Sequence, residues 1–150
     1  MFDILKCTAS PAAFGFSKFY SFSEVKNKIV ELENLSLAAN QKSKKILVVL
    51  KDYSFDDGAM KIIAEKKAVC FLIDLGRIIR SKGVGRAILI SKLRTFLALG
   101  MKYGAFYTFA SFSESESQIR TPDEIAHIAM LLGVNRGQTK FALKMLGHYL

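Results

Sequence analysis

The sequence of 150 residues contains no tryptophan, and cysteine and histidine occur only twice each. Cys7 and Cys70 lie far apart, without the C-x-x-C spacing of zinc or redox sites, so we expect two small core residues in a reducing cytoplasm. His127 and His148 have no second histidine at the spacing of metal ligands, so we expect no metal site. The chain also lacks an apolar run of about 20 residues, which argues against a membrane-spanning helix and a membrane partner.

Acidic residues are missing from a long stretch between Leu75 and Ser113. The chain has 22 lysines and arginines against 13 aspartates and glutamates, a net charge of +9, and much of the excess lies in that stretch. Arginine binds phosphate through a planar fork of donors, and no interleaved acid offers a salt bridge. A solvated helix face is the alternative interpretation. We predict contacts to RNA or another phosphate backbone from these residues: Arg77, Arg80, Lys82, Arg86, Lys92, Arg94, Lys102 and, beyond the stretch, Arg120.

Short apolar segments alternate with longer segments of helical periodicity along the whole chain. The apolar fraction of 51% is enough for one substantial core, and we expect a single domain over residues 1–150. Continuous apolar strands that are each followed by a helix are typical of an α/β fold with a buried parallel sheet. The predicted strands are 2–7, 18–22, 45–50, 68–74 and 105–110. The predicted helices are 10–15, 23–40, 56–67, 85–103, 121–132 and 137–146.

Two architectures fit this alternation, a trimmed TIM-barrel-like sheet and an open doubly wound sheet. A complete (β/α)₈ barrel takes roughly 250 residues, with about 200 as the lower limit, so this chain could supply only part of one. Composition alone favours the open sheet.

The segment around Arg120 has a sharply defined helix start. Thr121 suits the N-cap, Pro122 the first helical position and Glu124 the third position of a capping box. Gly133 suits the left-handed position that follows a last turn. Arg120 would therefore lie beside free backbone N–H groups, an arrangement that suits an anion.

Catalytic motifs are mostly absent. Asp52 and Asp74 follow strands, as phosphoacceptor or Mg²⁺-binding carboxylates do, but no glycine-rich phosphate loop accompanies them, so we predict capping or ion-pairing roles. The glycines of 82–87 indicate a flexible turn with exposed backbone, and the serines of 111–118 lack a nucleophile elbow. The chain by itself does not look like an enzyme.

Four segments of the chain carry a family resemblance: "AAFGFSKFY", "FLIDLGRII", "GRAILISKLRTFLALGMKYGAFY" and "IRTPDEIAHIAMLLGV". In this order they resemble protein component 3 of archaeal ribonuclease P, which is related to the thirty-kilodalton subunit of the eukaryotic enzyme. The last segment is the most specific, since it resembles the family's Arg-Ser/Thr-Pro helix start that closes in a Leu-Gly pair. The resemblance covers residues 65–140 well and the first half loosely.

The resemblance implies a trimmed TIM-barrel-like fold related to the PHP phosphoesterases. It implies a non-catalytic subunit that, with protein component 2, supports the catalytic RNA in removing the 5′ leader of precursor tRNA. Mg²⁺ is expected with that RNA, and no cofactor or catalytic residue in this chain. Arg86 matches the arginine that opens the family's long helix, and Arg120 the one before the Ser/Thr-Pro start.

The residues are also compatible with two other functions. One is a stand-alone metal-dependent phosphoesterase that uses Asp3, Asp52, Asp74 and Glu114, although the first strand lacks the His-x-His pair of the PHP enzymes. The other is an α/β signalling or nucleotide-binding domain with Asp52 as phosphoacceptor, which would need a phosphate-binding loop.

Overall fold

A computed structural model describes residues 1–41 and 45–150. All the strands of these residues pair in parallel, β1 with β2 and β3 to β6 in sequence order, so the predicted parallel α/β fold is confirmed. The strands in the described ranges are β1 (Phe2–Leu5), β2 (Lys18–Ser21), β3 (Ile29–Leu32), β4 (Ile46–Leu50), β5 (Val69–Asp74) and β6 (Phe106–Ala110).

Helices surround the sheets, and short 3₁₀ turns occur at Pro11–Phe14, Lys26–Lys28 and Glu116–Gln118. The α-helices are α1 (Phe22–Val25), α2 (Leu35–Ala39), α3 (Asp57–Lys66), α4 (Leu75–Arg80), α5 (Gly83–Tyr103), α6 (Pro122–Leu131) and α7 (Arg136–Tyr149). None of the helices described is long and apolar enough to cross a membrane.

The two sheets meet where β1 passes the end of β6. Leu5 and Ser113 form an isolated parallel bridge, with the Lys6 N–H donating to the Ser113 carbonyl at 2.9 Å. The Phe112 N–H donates to the Ile4 carbonyl at 3.0 Å. The strands therefore follow the order β2-β1-β6-β5-β4-β3. No pairing joins β2 to β3 in the described part, so the sheet does not close into a barrel there.

The predicted helix over residues 23–40 is wrong. Its middle forms β3, which pairs with β4 from Ile29 opposite Leu47 to Leu32 opposite Leu50. Val30 and Leu32 pack on one side of the sheet and Ile29 on the other, which is the period of two of a strand. Pairing with β4 and burial on two faces outweigh the helical propensity of the flanking residues.

Two further segments differ from expectation in the connection after β5. No helix is predicted there, yet α4 forms, with the Asp74 carboxylate as its N-cap accepting from the Arg77 N–H at 3.2 Å. The glycines of 82–87 open α5, with Gly83 at a φ of 54°, and do not form a flexible turn. The other predicted strands and helices are confirmed to within a few residues.

The core lies on both faces of the parallel sheets. On one face Phe71 meets Phe96 of α5 edge-on, with ring centroids 4.9 Å apart. On the other face Ile4 and Leu72 pack with Leu146 of α7. Burial raises the pKa of the Cys70 thiol to about 12, as expected of a core cysteine, whereas Cys7 is only half-buried.

Candidate functional site

The carboxyl ends of β1, β5 and β6 meet at one edge of the sheets, and polar side chains collect there. We name Asp3, Asp74, Arg80, Ser111 and Ser113 the edge cluster. A cavity of about 290 Å³ opens beside it, lined by Lys6, Phe22, Lys26, Ile29, Glu31, Val49, Asp74 and Phe112. Parallel α/β folds place binding sites at this end of their strands, since their loops converge there.

Asp3 is fully buried at the centre of the edge cluster. One carboxylate oxygen accepts from the backbone N–H of Ser111 at 2.7 Å, and the other accepts from the Ser111 hydroxyl at 2.7 Å. The Ser113 hydroxyl lies 2.7 Å from that of Ser111. Burial raises the pKa of Asp3 to about 6, although these hydrogen bonds act in the opposite direction.

Asp74 is tied into the fold by two contacts. It caps α4 and lies 3.6 Å from the guanidinium of Arg80, which also donates to the Phe112 carbonyl at 3.4 Å. Burial raises the pKa of the Asp74 carboxyl, against the opposing effect of Arg80. The predicted capping and ion-pairing role of Asp74 is therefore confirmed.

Arg77 faces the end of β4. Its guanidinium donates to the carbonyls of Leu50 at 3.1 Å and Lys51 at 3.2 Å, and it lies 5.7 Å from the centre of the Tyr53 ring. These contacts supply hydrogen-bond donors to the two carbonyls at the end of β4, where the chain leaves the sheet. They hold the Arg77 guanidinium against the protein.

Arg86 and Arg120 lie 34 residues apart in the sequence and line the same cavity of about 290 Å³. Arg86 donates through Nε to the Ser81 carbonyl at 2.7 Å and through Nη2 to the Ile79 carbonyl at 3.2 Å. Both acceptors lie at the end of α4. The remaining walls of the cavity are apolar, from Ile78, Ile79, Ile90, Ile128 and Leu131.

Arg120 is held in place by the start of α6. Its Nη1 donates to the carbonyls of Ser117 at 2.8 Å and Ile119 at 3.0 Å, and it forms no ion pair within the residues described. Thr121 and Glu124 form the predicted capping box, with Thr121 N–H donating to Glu124 at 2.8 Å.

The expected cluster of free N–H groups beside Arg120 is not there. Pro122 has no N–H, and the N–H groups of Thr121 and Glu124 are used inside the capping box. An anion at this point would therefore depend on the arginine side chains and not on the helix start.

The other predicted cations lie on or before α5, with exposed side chains. Lys92 pairs with Asp52 at 3.0 Å, which confirms the ion-pairing role expected of Asp52 and lowers the pKa of that carboxyl. Arg94 and Lys102 line a shallow cavity of about 430 Å³, separate from the one that Arg86 and Arg120 share. Lys82 is the N-cap residue of α5, without a side-chain capping bond.

Of the four carboxylates considered for a phosphoesterase, Asp3 and Asp74 lie in the edge cluster, whereas Asp52 and Glu114 do not. Asp52 pairs with Lys92, and Glu114 pairs with Lys6 at 3.4 Å. Among the residues described, no group of three or more His, Cys, Asp or Glu side chains is placed to hold a metal ion.

Sequence reasoning missed two features of this region. Phe55 is 67% exposed beside Arg94 and Lys102, and its sequence context, "KDYSFDDG", gave no signal of that. The link from Asp3 to Ser111 joins residues 108 positions apart, so only tertiary structure could reveal it.

Comparison with protein-family models found no match to this chain, and comparison with curated protein sequences found no significant match.

Proposed function

We propose that this chain is a non-catalytic, RNA-binding subunit of ribonuclease P, similar to archaeal protein component 3. The catalytic RNA of that enzyme would remove the 5′ leader of precursor tRNA, and protein component 2 would be the partner of this chain. The observation that carries the proposal is the position of Arg86 and Arg120. They are the two arginines matched to the family's motifs, and they line one cavity although they come from separate helical units.

The free donors of the two arginines favour phosphate as the ligand. Arg86 keeps Nη1 unused, and Arg120 keeps Nε and Nη2 unused, within the described residues. Their bonds to backbone carbonyls fix the guanidinium planes and leave the positive charge uncompensated. Such a preorganised pair suits the oxygens of an RNA backbone.

The exposed lysines and arginines of α5 extend this surface. In the proposal, Lys82, Lys92, Arg94 and Lys102 add contacts to phosphates. The guanidinium groups of Arg77 and Arg80 already bind carbonyls and Asp74, so in the proposal these two arginines stabilise the fold beneath this surface and do not contact phosphates. The protein would hold and orient the RNA, while Mg²⁺ bound with the RNA would supply the hydrolytic chemistry.

The strand order supports a trimmed TIM-barrel-like fold for this proposal. The order β2-β1-β6-β5-β4-β3 is the order of an opened barrel in which each strand lies beside its neighbour in sequence and the last returns to the first. A doubly wound sheet instead reverses direction at a switch point in the middle.

Reconstitution tests the proposal directly. Adding the chain to the cognate RNA and component 2 should increase precursor-tRNA cleavage or lower the Mg²⁺ requirement. Arg120→Ala and Arg86→Ala should each reduce this gain, whereas Lys140→Ala, which removes a cation paired with Asp123 at 3.5 Å, should leave it unchanged. The proposal fails if the wild-type chain changes neither the rate nor the Mg²⁺ requirement.

The phosphoesterase alternative has its own test. The purified chain should show no phosphatase activity with Mn²⁺, Mg²⁺ or Zn²⁺, because the carboxylates it would need bind partners in the protein. Activity that Asp74→Asn abolishes would replace the ribonuclease P proposal.

A further inference from the structure

Phe55 is the most exposed phenylalanine among the residues described, with 67% of its surface accessible. It lies in the connection between β4 and α3, before the N-cap of that helix, Asp56. Across a shallow cavity of about 430 Å³ it faces one side of α5, which contributes Arg94, Thr95, Ala98, Leu99 and Lys102. An exposed aromatic ring thus shares a cavity with a guanidinium and an ammonium group.

The charged side chains that line this cavity, Arg94 and Lys102, are both cations. Asp56 accepts from the Ala59 N–H at 2.9 Å and from the Ser36 hydroxyl at 2.9 Å, and Asp57 accepts from the Tyr103 hydroxyl at 2.6 Å. The nearest acids in sequence are therefore engaged by the protein. Arg94 and Lys102 form no ion pair within the described part of the chain.

We propose that Phe55, Arg94 and Lys102 form a stacking site for an unpaired RNA nucleotide. The base would stack on the Phe55 ring, and the two cations would bind the phosphates on either side of it. Sequence-specific and single-stranded RNA recognition uses this combination of an aromatic face with adjacent positive charge. The inference rests on the proposed RNA binding and adds the kind of nucleotide that is bound.

The spacing along α5 fits this ligand. Arg94 and Lys102 lie eight positions apart, about 12 Å along the helix axis. Both side chains are long and flexible, so they can reach different phosphates of the backbone that flanks a stacked base, while the small side chains of Thr95 and Ala98 leave room between them.

The site is separate from the cavity of Arg86 and Arg120 but lies on the same long helix. Arg86 and Lys102 are 16 positions apart, about 24 Å along α5. Sixteen positions are about 4.4 turns at 3.6 residues per turn, so the two side chains leave α5 on nearly opposite sides. The two sites are therefore separate RNA contacts, and each is tested by itself.

Two RNA hairpins test the proposal with the full chain. The two hairpins have the same loop and differ only in the stem: one stem is fully paired, and the other carries a single unpaired 2-aminopurine, whose fluorescence falls when the base stacks. We expect the fluorescence to fall on binding of the wild-type chain and of Phe55→Tyr, but not on binding of Phe55→Ala. Phe55→Ala should also weaken affinity for the unpaired hairpin by roughly fivefold or more, with little change for the paired one.

Phe141→Ala is the matched control, because Phe141 is 63% exposed and lines another cavity, with Tyr107 and Met145. It should bind both hairpins like the wild-type chain. Equal affinity of Phe55→Ala and wild type for the unpaired hairpin would overturn the stacking site while RNA binding through Arg120 still stood.

Two other results would also overturn the stacking site. If Phe55→Ala lost only its association with component 2, the ring would belong to a protein interface. If the wild-type chain bound neither hairpin, the proposed RNA-binding function would fail together with the site.

Discussion

Ser111 holds the buried carboxylate of Asp3 through both its backbone N–H and its hydroxyl, each at 2.7 Å. This contact joins the first strand to the end of the last one, at the place where the bridge between Leu5 and Ser113 connects the two sheets. The sheet junction therefore depends on a fully buried polar group. Such groups are costly when they lose a partner or carry a charge.

The stability of the protein should depend on the protonation of Asp3. Its pKa rises from 3.8 to about 6 on folding, so the folded state binds more protons in that range and stability falls as pH rises through it. An asparagine cannot ionise, so Asp3→Asn should not lose stability as the pH rises. The free energy of unfolding of Asp3→Asn minus that of wild type should therefore increase by about 2 kcal/mol between about pH 4 and about pH 7.

Urea denaturation of both proteins across this range measures the difference. Ser115→Ala, which removes an exposed hydroxyl of the following loop, serves as the control and should show no pH-dependent difference from wild type. A constant difference between Asp3→Asn and wild type at all pH values would mean that Asp3 does not titrate in this window.

Gly76→Ala should destabilise the protein strongly. A Cβ there would lie 2.3 Å from the Ser111 carbonyl oxygen and 2.5 Å from a guanidinium nitrogen of Arg80, so α4 would have to move off the end of β6. We expect a loss of about 1–3 kcal/mol or more in thermal or urea unfolding. Gly85→Ala on α5 is the matched control, since its Cβ meets nothing within 4 Å, and it should gain about 0.5–1 kcal/mol.

Thr121→Ala should weaken the start of α6. The change removes the acceptor of the Glu124 N–H and one half of the capping box, at a cost of about 1 kcal/mol. Thr95→Ala on the exposed surface of α5 should cost nothing, because alanine has the higher helix propensity. Equal effects of the two substitutions would show that the capping box contributes little.

Arg77→Ala should change mainly the stability of the protein, whereas Arg120→Ala should change mainly the salt dependence of RNA binding. Arg77 holds the carbonyls of Leu50 and Lys51, so its loss should lower stability by about 1–3 kcal/mol and leave the salt dependence of RNA binding unchanged. Arg120→Ala should make the negative slope of log K against log salt shallower, by the amount expected for the loss of about one phosphate contact. Its effect on stability should be small.

Both the free energy of unfolding and the salt dependence of RNA binding should be measured for each variant. Lys26→Ala, outside the basic stretch, is a control for the general effect of losing one positive charge. A reduced slope for Arg77→Ala would place its guanidinium in the RNA interface after all.

Local sequence patterns predicted the elements whose signals are contained within a few residues. The start of α6 is one example, because Thr121, Pro122 and Glu124 satisfy the backbone groups of a single helical turn. The largely apolar runs of β5 and β6 are another, since strands buried on both faces are apolar at most positions. The exposure of Lys92 and Arg94 follows from the same helical period that buries Leu93 and Phe96.

The region from 23 to 40 shows where such reasoning fails. Its residues suit a helix, but Ile29 and Val30 gain more from pairing with β4 and packing on two faces. That energy comes from residues about 18 positions away, such as Leu47, and no short window of sequence contains it. The capped helix α4 was missed for another reason, because it has only six residues.

By itself the sequence determined the parallel α/β alternation, the capped helix behind Arg120 and the acid-free basic stretch, because these depend on residue types at short spacing. Tertiary structure alone decided that Asp3 meets Ser111, that Arg86 and Arg120 line one cavity, and that Phe55 faces Arg94. Contacts of that kind join residues tens of positions apart. They form only when the strands pair, since the order of the sheet brings the ends of separate βα units to a common edge.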